Sequence, residues 1–176
     1  TLPGVRIRLK KEIPAGAGLG GGSSDAAFVL RGLNQLFSLG VEHSHLHSIA
    51  ASLGADVPFF LSDRPQFAEG TGTDLSDFEL NLPVRLQVYP QAIHSSTIAA
   101  YRALDYTQFD LSRDLKQVLR MSVEEWKTHL HNDLERPVFM MYPQLQQIKE
   151  NLYHQGAIYA SMSGSGSAMF ALFPKE

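Results

Sequence analysis

Apolar and polar residues alternate at the start of the chain. Val5, Ile7 and Leu9 are separated by Arg6, Arg8 and Lys10, a period of two that predicts a strand with one buried and one wet face. The period then changes. Beyond Pro14 and a glycine tract, Ala26, Val29, Leu30, Leu33 and Leu36/Phe37 recur on one helical face, predicting a helix that begins after Ser23-Ser24 and ends near Gly40. A second helix is predicted from about His45 to Leu53, with Leu46, Ile49, Ala50 and Leu53 on one side and Gly54 as its stop. The Gly- and Thr-rich segment from Gln66 to Thr73 predicts a turn between short strands. Val84 to Tyr89 alternates again and reads as a strand. Helical patterns follow around Ser96–Leu104, Leu115–Leu119, Glu124–Leu134 and Pro143–Tyr153. A final strand pair, Ala157–Met162 and Ala168–Phe173, is joined by Ser163-Gly164-Ser165-Gly166-Ser167. Strands and helices thus alternate in both halves, and Asn81–Pro83 marks a domain boundary, giving residues 1–81 and 82–176.

Composition narrows the function classes. The 176 residues are 44% apolar, an ordinary globular balance, and 15 Lys+Arg against 18 Asp+Glu give a net charge of -3. No global basic field is available to hold a nucleic-acid backbone. No apolar run approaches the roughly 20 residues of a membrane helix. With no cysteine, disulfides, thiolate metal sites and thiol nucleophiles are excluded, which is compatible with a reducing cytosol without proving it; a cytoplasmic location is the expectation. His43, His45 and His47 do not make a metal site on a helix, because His45 points away from the other two and no third ligand lies nearby.

The chemistry concentrates in Gly16-Ala17-Gly18-Leu19-Gly20-Gly21-Gly22-Ser23-Ser24-Asp25. Five glycines in seven positions would waste conformational entropy in an idle loop, so something must approach this backbone closely. Successive N–H groups can converge on an anion, and the following helix adds its partial positive charge, so a phosphate is the natural guest. The Walker pattern fails, since no Lys-Ser/Thr pair follows the glycines. A dinucleotide fingerprint matches at Gly16, Gly18 and Gly21 with Glu42 downstream, yet the wet Arg6/Arg8/Lys10 face does not suit a strand inside a parallel sheet. A serine hydrolase is excluded because no Gly-x-Ser-x-Gly elbow occurs.

The run from Lys11 to Ala27 resembles the ATP loop of the GHMP small-molecule kinases. Three more blocks agree in order: Leu53-Gly54-Ala55-Asp56-Val57-Pro58-Phe59-Phe60, Asn132-Asp133-Leu134-Glu135, and Met162 to Ser167. The resemblance implies an α+β, two-domain fold, with a ribosomal-protein-S5-like first domain, here incomplete, and a ferredoxin-like second domain. It also implies ATP- and Mg2+-dependent phosphorylation of a hydroxyl, and within the superfamily it points to the branch acting on a cytidylyl-erythritol intermediate of non-mevalonate isoprenoid synthesis. Mevalonate, homoserine or a sugar as acceptor is the alternative, and a catalytically impaired nucleotide-binding fragment is another.

By the same resemblance Asp56 is the catalytic aspartate, although as a bare residue it also reads as a turn or cap carboxylate. Lys11, Pro14, Gly16, Gly18, Leu19, Gly20, Gly21, Gly22, Ser23 and Ser24 would bind ATP and its phosphates, the two serines doubling as helix caps. Lys11 reads equally as an exposed strand lysine. Gly164, Ser165 and Gly166 would face the phosphate loop and the substrate, or form a plain hairpin turn. Tyr101 stands where the family tends to stack cytosine, but an aromatic at helical spacing is as a rule core. Asn132 to Glu135 reads as a cap or brace of a helix in the second domain, with no chemistry of its own. The family begins with a further segment holding a catalytic lysine and part of the cytidine pocket, and usually continues past Phe173. This polypeptide alone is therefore expected to show weak or no kinase activity, and to expose an apolar face that invites a homodimer or aggregation.

Overall fold

In a computed structural model, residues 4–109 and 112–175 are described. They form two compact units: residues up to Ala15 with Gly20–Glu79, and Gly16–Leu19 with Leu80 onward.

The first unit is built on small residues. Helix α1 (Gly21–Leu36) and helix α2 (His43–Leu53) meet through Ala27 and Ala50, both fully buried, and Ala26, Leu30 and Leu46 close around them. Val57 and Leu61, at the start and end of the 3-10 turn Pro58–Leu61, complete this core together with Phe60. The side-chain amide of Asn34 donates to and accepts from the backbone of Val41 at 3.0 Å each way, which fixes the α1–α2 connection. The Arg31 guanidinium grips Asp63 with two bonds of 2.9 and 3.0 Å and holds that carboxyl below its ordinary range. A two-stranded antiparallel hairpin follows, β1 (Gln66–Glu69) and β2 (Asp74–Asp77), turning through Gly70 and Gly72 as the sequence predicts.

Two expectations fail here. The alternating run Val5–Lys10 is not a strand: it joins no ladder among the described residues, and Ile7 and Leu9 are 58% and 59% exposed. Alternation creates a face, but only a second strand supplies hydrogen bonds to its backbone. Helix α1 also starts three residues before Ser24, at Gly21. Its N-cap is Gly20 in the left-handed region (φ 63°), so Ser23 and Ser24 lie inside the first turn and do not cap it.

The second unit centres on a three-stranded antiparallel sheet of order β3-β5-β4, formed by β3 (Val84–Tyr89), β4 (Tyr159–Met162) and β5 (Met169–Pro174). Val84 pairs with Pro174 and Tyr89 with Met169 on one side of β5, while Tyr159 pairs with Leu172 and Met162 with Met169 on the other. Helices pack on both faces, which is why β5 reads as a nearly unbroken apolar run rather than an alternating one. Met169, Ala171, Phe173, Ala160 and Met162 meet α3 (Thr97–Arg102), α6 (Glu135–Met141) and α7 (Pro143–His154) through Ala100, Val138, Leu145 and Leu152. Leu172 and Tyr159 meet α4 (Leu115–Arg120) and α5 (Val123–His129) through Leu119, Val123 and Trp126, with the Trp126 and Tyr159 rings edge-on at 5.7 Å.

The helix predicted over Glu124–Leu134 stops short at His129, and a separate helix that the periodicity does not predict follows it. Helix α5 ends at His129 because Leu130 is extended, and α6 begins at Glu135. Between them the Asn132 side chain accepts from the Leu134 amide at 3.0 Å, a local turn that competes with helix. No helix among the described residues is long and apolar enough to cross a membrane.

Candidate functional site

The glycine tract is held differently along its length. Gly20 onward belongs to the first unit, where its φ of 63° and the ring of Phe60, 2.6 Å from where a Cβ would stand, leave no room for a side chain. Gly21 is likewise closed by Ile13 at 2.9 Å. Gly22 is exposed and a Cβ there would meet nothing within 4 Å. With glycine as N-cap, no side chain caps α1, so its first amides keep their hydrogens for an outside acceptor. The hydroxyls of Ser23 and Ser24 have no hydrogen-bond partner among the described residues. The Ser24 amide itself donates to Gly20 at 2.8 Å, closing the first helical turn.

Lys11 stands beside this helix start. Its ammonium pairs with Asp25, both about one-third exposed, and lies 3.6 Å from the would-be Cβ of Gly21. The cation is therefore fixed next to the helix N-terminus. Pro14 is exposed in the segment leading into the tract. Asp56 is exposed in the turn between α2 and the 3-10 turn. That turn is anchored: the Val57 amide donates to Gly54 at 3.1 Å, and the Val57 side chain is buried in the core shared with α1. Gly54 is extended at φ 171° and ends α2, its amide donating to Ala50 at 3.2 Å. Glu42 is the residue before α2 and does not end a strand, and no parallel strand pair occurs among the described residues, so the dinucleotide pattern lacks its context.

Gly16–Leu19 belongs to the second unit, where the Ser163–Ser167 loop between β4 and β5 holds it. The Ser163 hydroxyl donates to the Gly18 carbonyl at 2.7 Å, and the Ala168 amide donates to the Ala17 carbonyl at 2.9 Å. A Cβ on Gly18 would stand 2.2 Å from the Ser163 oxygen and 2.9 Å from the Gly166 oxygen. One on Gly16 would strike the His94 ring at 2.8 Å. Ala17 is buried beneath this contact, while Leu19 is half-buried.

The second loop is itself pinned. The Ser165 hydroxyl bonds that of Thr97 at 2.8 Å, its carbonyl accepts from the Ser95 hydroxyl at 2.7 Å, and the Ser167 hydroxyl donates to the Ile93 carbonyl. Gly164 and Gly166 turn the chain at φ 54° and 83°, and the Gly166 amide closes onto Ser163 at 2.9 Å. Tyr101 lies one turn beyond Thr97 on α3 and thus on the same helical face. At 52% exposure it is not a core aromatic, and the buried side of α3 is Ala100. Ser95, Thr97 and Ser163, which hold these loops, were not singled out by the sequence reading, and the cluster of small hydroxyl residues in His94-Ser95-Ser96-Thr97 was the available signal for the first two.

The Asn132–Glu135 block, expected to cap or brace a helix, braces the same loop instead. Asn132 donates to the Met162 and Gly164 carbonyls at 3.0 and 2.8 Å, and Glu135 accepts from the Met162 amide at 2.8 Å. An open concavity of about 1000 Å³ in the second unit is lined by Asp105, Asn132, Glu135, Arg136, Lys149 and Tyr153 among others, and by none of the sequence-predicted site residues. No group of three potential metal-ligating side chains occurs among the described residues.

Comparison with known proteins places these features in a common frame. Residues 1–64 match the family profile described as GHMP kinases N terminal domain, and residues 111–176 the profile described as GHMP kinases C terminal. A 4-diphosphocytidyl-2-C-methyl-D-erythritol kinase of Bacteroides fragilis (strain YCH46) is 47% identical over 176 residues, covering 99% of this chain and 64% of its own length. A kinase of the same name from Chlorobium phaeobacteroides (strain BS1) is 47% identical over 176 residues, covering 97% of this chain and 61% of its own length. Among solved structures, a 4-(cytidine 5'-diphospho)-2C-methyl-D-erythritol kinase superposes with a TM-score of 0.80 at 38% identity, over 93% of this chain and 59% of that one. A homoserine kinase from Cytophaga hutchinsonii gives 0.76 at 20% identity, over 94% and 59%, a likeness of fold. The chain therefore spans less than two thirds of the length of these relatives.

Proposed function

The chain belongs to the GHMP kinase family, and from that premise we propose that it serves ATP-dependent phosphorylation of a hydroxyl of 4-diphosphocytidyl-2-C-methyl-D-erythritol, a step of isoprenoid synthesis. The observation that carries the phosphoryl-donor half is the uncapped start of α1, with Gly22 open to solvent and two free serine hydroxyls in the same turn. A polyphosphate anion suits that place, since it accepts from the amides and meets the positive end of the helix. Lys11, already fixed beside Gly21, adds positive charge, and Gly16, Gly18 and Leu19 belong to the same proposed phosphate-binding run of sequence. The acceptor half rests on the names of the relatives, at 47% identity for two of them.

In this reading Asp56 orients the acceptor hydroxyl and takes its proton. The hydroxyl oxygen forms a bond to the γ-phosphorus, the bond from that phosphorus to the bridging oxygen breaks, and ADP leaves. Gly164, Ser165 and Gly166 border the acceptor, and Tyr101, exposed on the Thr97 face of α3, offers its ring to cytosine. Mg2+ would be held through the donor's phosphate oxygens and water, with Ser23 or Ser24 able to touch its hydration shell. Its bound charge would offset the developing charge on the phosphates. Donor and acceptor are both soluble phosphorylated metabolites, so the reading carries a cytoplasmic location with it. Self-association would be sought on the first unit, where Val5, Ile7, Leu9 and Phe28 are exposed.

The test is Asp56→Asn in a version of the chain extended to the length of its relatives. Turnover of the cytidylyl acceptor should fall by ~10²- to 10⁴-fold while an ATP analogue binds as before. Unchanged turnover overturns the role of Asp56. Faster phosphorylation of mevalonate, homoserine or a sugar than of the cytidylyl compound overturns the choice of acceptor.

A further inference from the structure

Strand β4 lies at one edge of its sheet, so alternate backbone groups point away from β5 and need partners elsewhere. At its last residue, Met162, those partners are two side chains, Asn132 from the segment before α6 and Glu135 from its first position. The Met162 amide donates to the Glu135 carboxylate at 2.8 Å, and the Met162 carbonyl accepts from the Asn132 amide at 3.0 Å. Asn132 and Glu135 together occupy the place a neighbouring strand would take.

The bonds extend in both directions. The same Asn132 amide group reaches the Gly164 carbonyl at 2.8 Å, while its oxygen is held by the Leu134 amide at 3.0 Å, so the side chain cannot rotate without breaking a bond. Glu135 is only 8% exposed and carries three partners: the Met162 amide, the Ser161 hydroxyl at 3.0 Å, and the Lys149 ammonium on its other oxygen. A carboxylate so buried is tolerable because both its oxygens are hydrogen-bonded and its charge is matched. From the braced residues the path runs directly to the glycine tract, through the Ser163 hydroxyl on Gly18 and the Ala168 amide on Ala17.

We propose that Asn132 and Glu135 are positioning residues for the phosphate loop: they fix Met162 to Gly164, and thereby hold Gly16–Leu19 in its ligand-ready shape without touching the ligand. The consequence for nucleotide affinity rests on the donor reading above, whereas the mechanical link does not. Asn132→Asp separates the two parts of the Asn132 role. It keeps the acceptor for the Leu134 amide but removes the N–H groups and sets a carboxylate against two carbonyl oxygens. Glu135→Gln keeps an acceptor for Met162 and Ser161 and loses only the charge facing Lys149.

The experiment is residue-resolved amide exchange in the full chain, paired with titration of a non-hydrolysable ATP analogue. The amides of Gly166 and Ala168 report the loop and its bond to Ala17, and the amide of Ile158, bonded to Leu172, is the internal control. Asn132→Asp should speed exchange at Gly166 and Ala168 about tenfold or more, leave Ile158 within about twofold, and weaken the analogue about tenfold. Glu135→Gln should shift each by less than about threefold, rescuing what Glu135→Ala loses. Equal acceleration at all three amides would reduce the pair to fold support and overturn the proposal. Unchanged exchange at Ala168 would overturn it as well, as would local loosening without loss of affinity. If the parent protein binds no analogue at all, the donor reading falls, and the exchange result alone decides the mechanical link.

Discussion

The molecule carries two loops made of glycine and serine, and they use their serines in opposite ways. In Ser163–Ser167 every serine hydroxyl is bonded within the protein, to Gly18, Thr97 and Ile93. In Gly20–Ser24 neither serine hydroxyl has a partner among the described residues, the helix start is uncapped, and one glycine faces open space. Similar composition therefore serves two ends. The first loop satisfies its serine hydroxyls within the protein; the second leaves its serine hydroxyls and first helical amides free for the phosphate proposed above.

The sharpest way to break this contrast is a pair of glycine substitutions. Gly18→Ala forces a Cβ against two backbone oxygens, at 2.2 and 2.9 Å, from a left-handed residue. Overpacking and backbone strain together should cost roughly 2–5 kcal/mol, measured by chemical denaturation. Gly22→Ala meets nothing, and should instead gain from a few tenths to about 1 kcal/mol through helix propensity while weakening the ATP analogue. If both variants lose stability equally, the two regions are not distinct.

A smaller effect separates the serines. Ser165→Ala deletes a buried hydroxyl bonded to Thr97 and should cost about 1 kcal/mol in denaturation. Ser24→Ala should leave the denaturation midpoint in place and lower only analogue affinity. Reversal of these two outcomes would exchange the roles assigned to the loops.

The smallest effect is confined to high pH and to the sheet that carries the braced loop. Burial pushes the Tyr159 hydroxyl up from 10.0 to about 12, and burial also raises Tyr153. The folded state thus favours the neutral form. Stability from Tyr159 is complete below pH 10 and is lost as pH rises from 10 through about 12. Tyr159→Phe should flatten that decline in denaturant midpoint, with Tyr153 leaving a residual slope; an unchanged decline would refute the assignment.

Local patterns were legible in the sequence, and long-range ones were not. Strand β3, the Gln66–Asp77 hairpin and helix α7 follow from periodicity and turn residues a few positions apart. The Val5–Leu9 alternation looks the same as that of β3, but β3 has β5 as a ladder partner and Val5–Leu9 has none among the described residues. The start of α1 was misplaced because its cap is a backbone conformation of Gly20, while the serine pair beside it mimics a side-chain cap. The glycine tract announced a close approach, and Gly18 shows that part of that approach is made by the protein's own Ser163. Asn132 and Glu135 were readable as a brace but not for what they brace, since Met162 stands 30 and 27 residues away.

The central claim is that the uncapped start of α1 receives the phosphates of a nucleoside triphosphate. The direct measurement is titration of the full chain with magnesium and a non-hydrolysable ATP analogue, following backbone amides by NMR. Saturable shifts should be largest at Gly21, Gly22 and Ser23. Saturation elsewhere, with these three amides unmoved, would contradict the account.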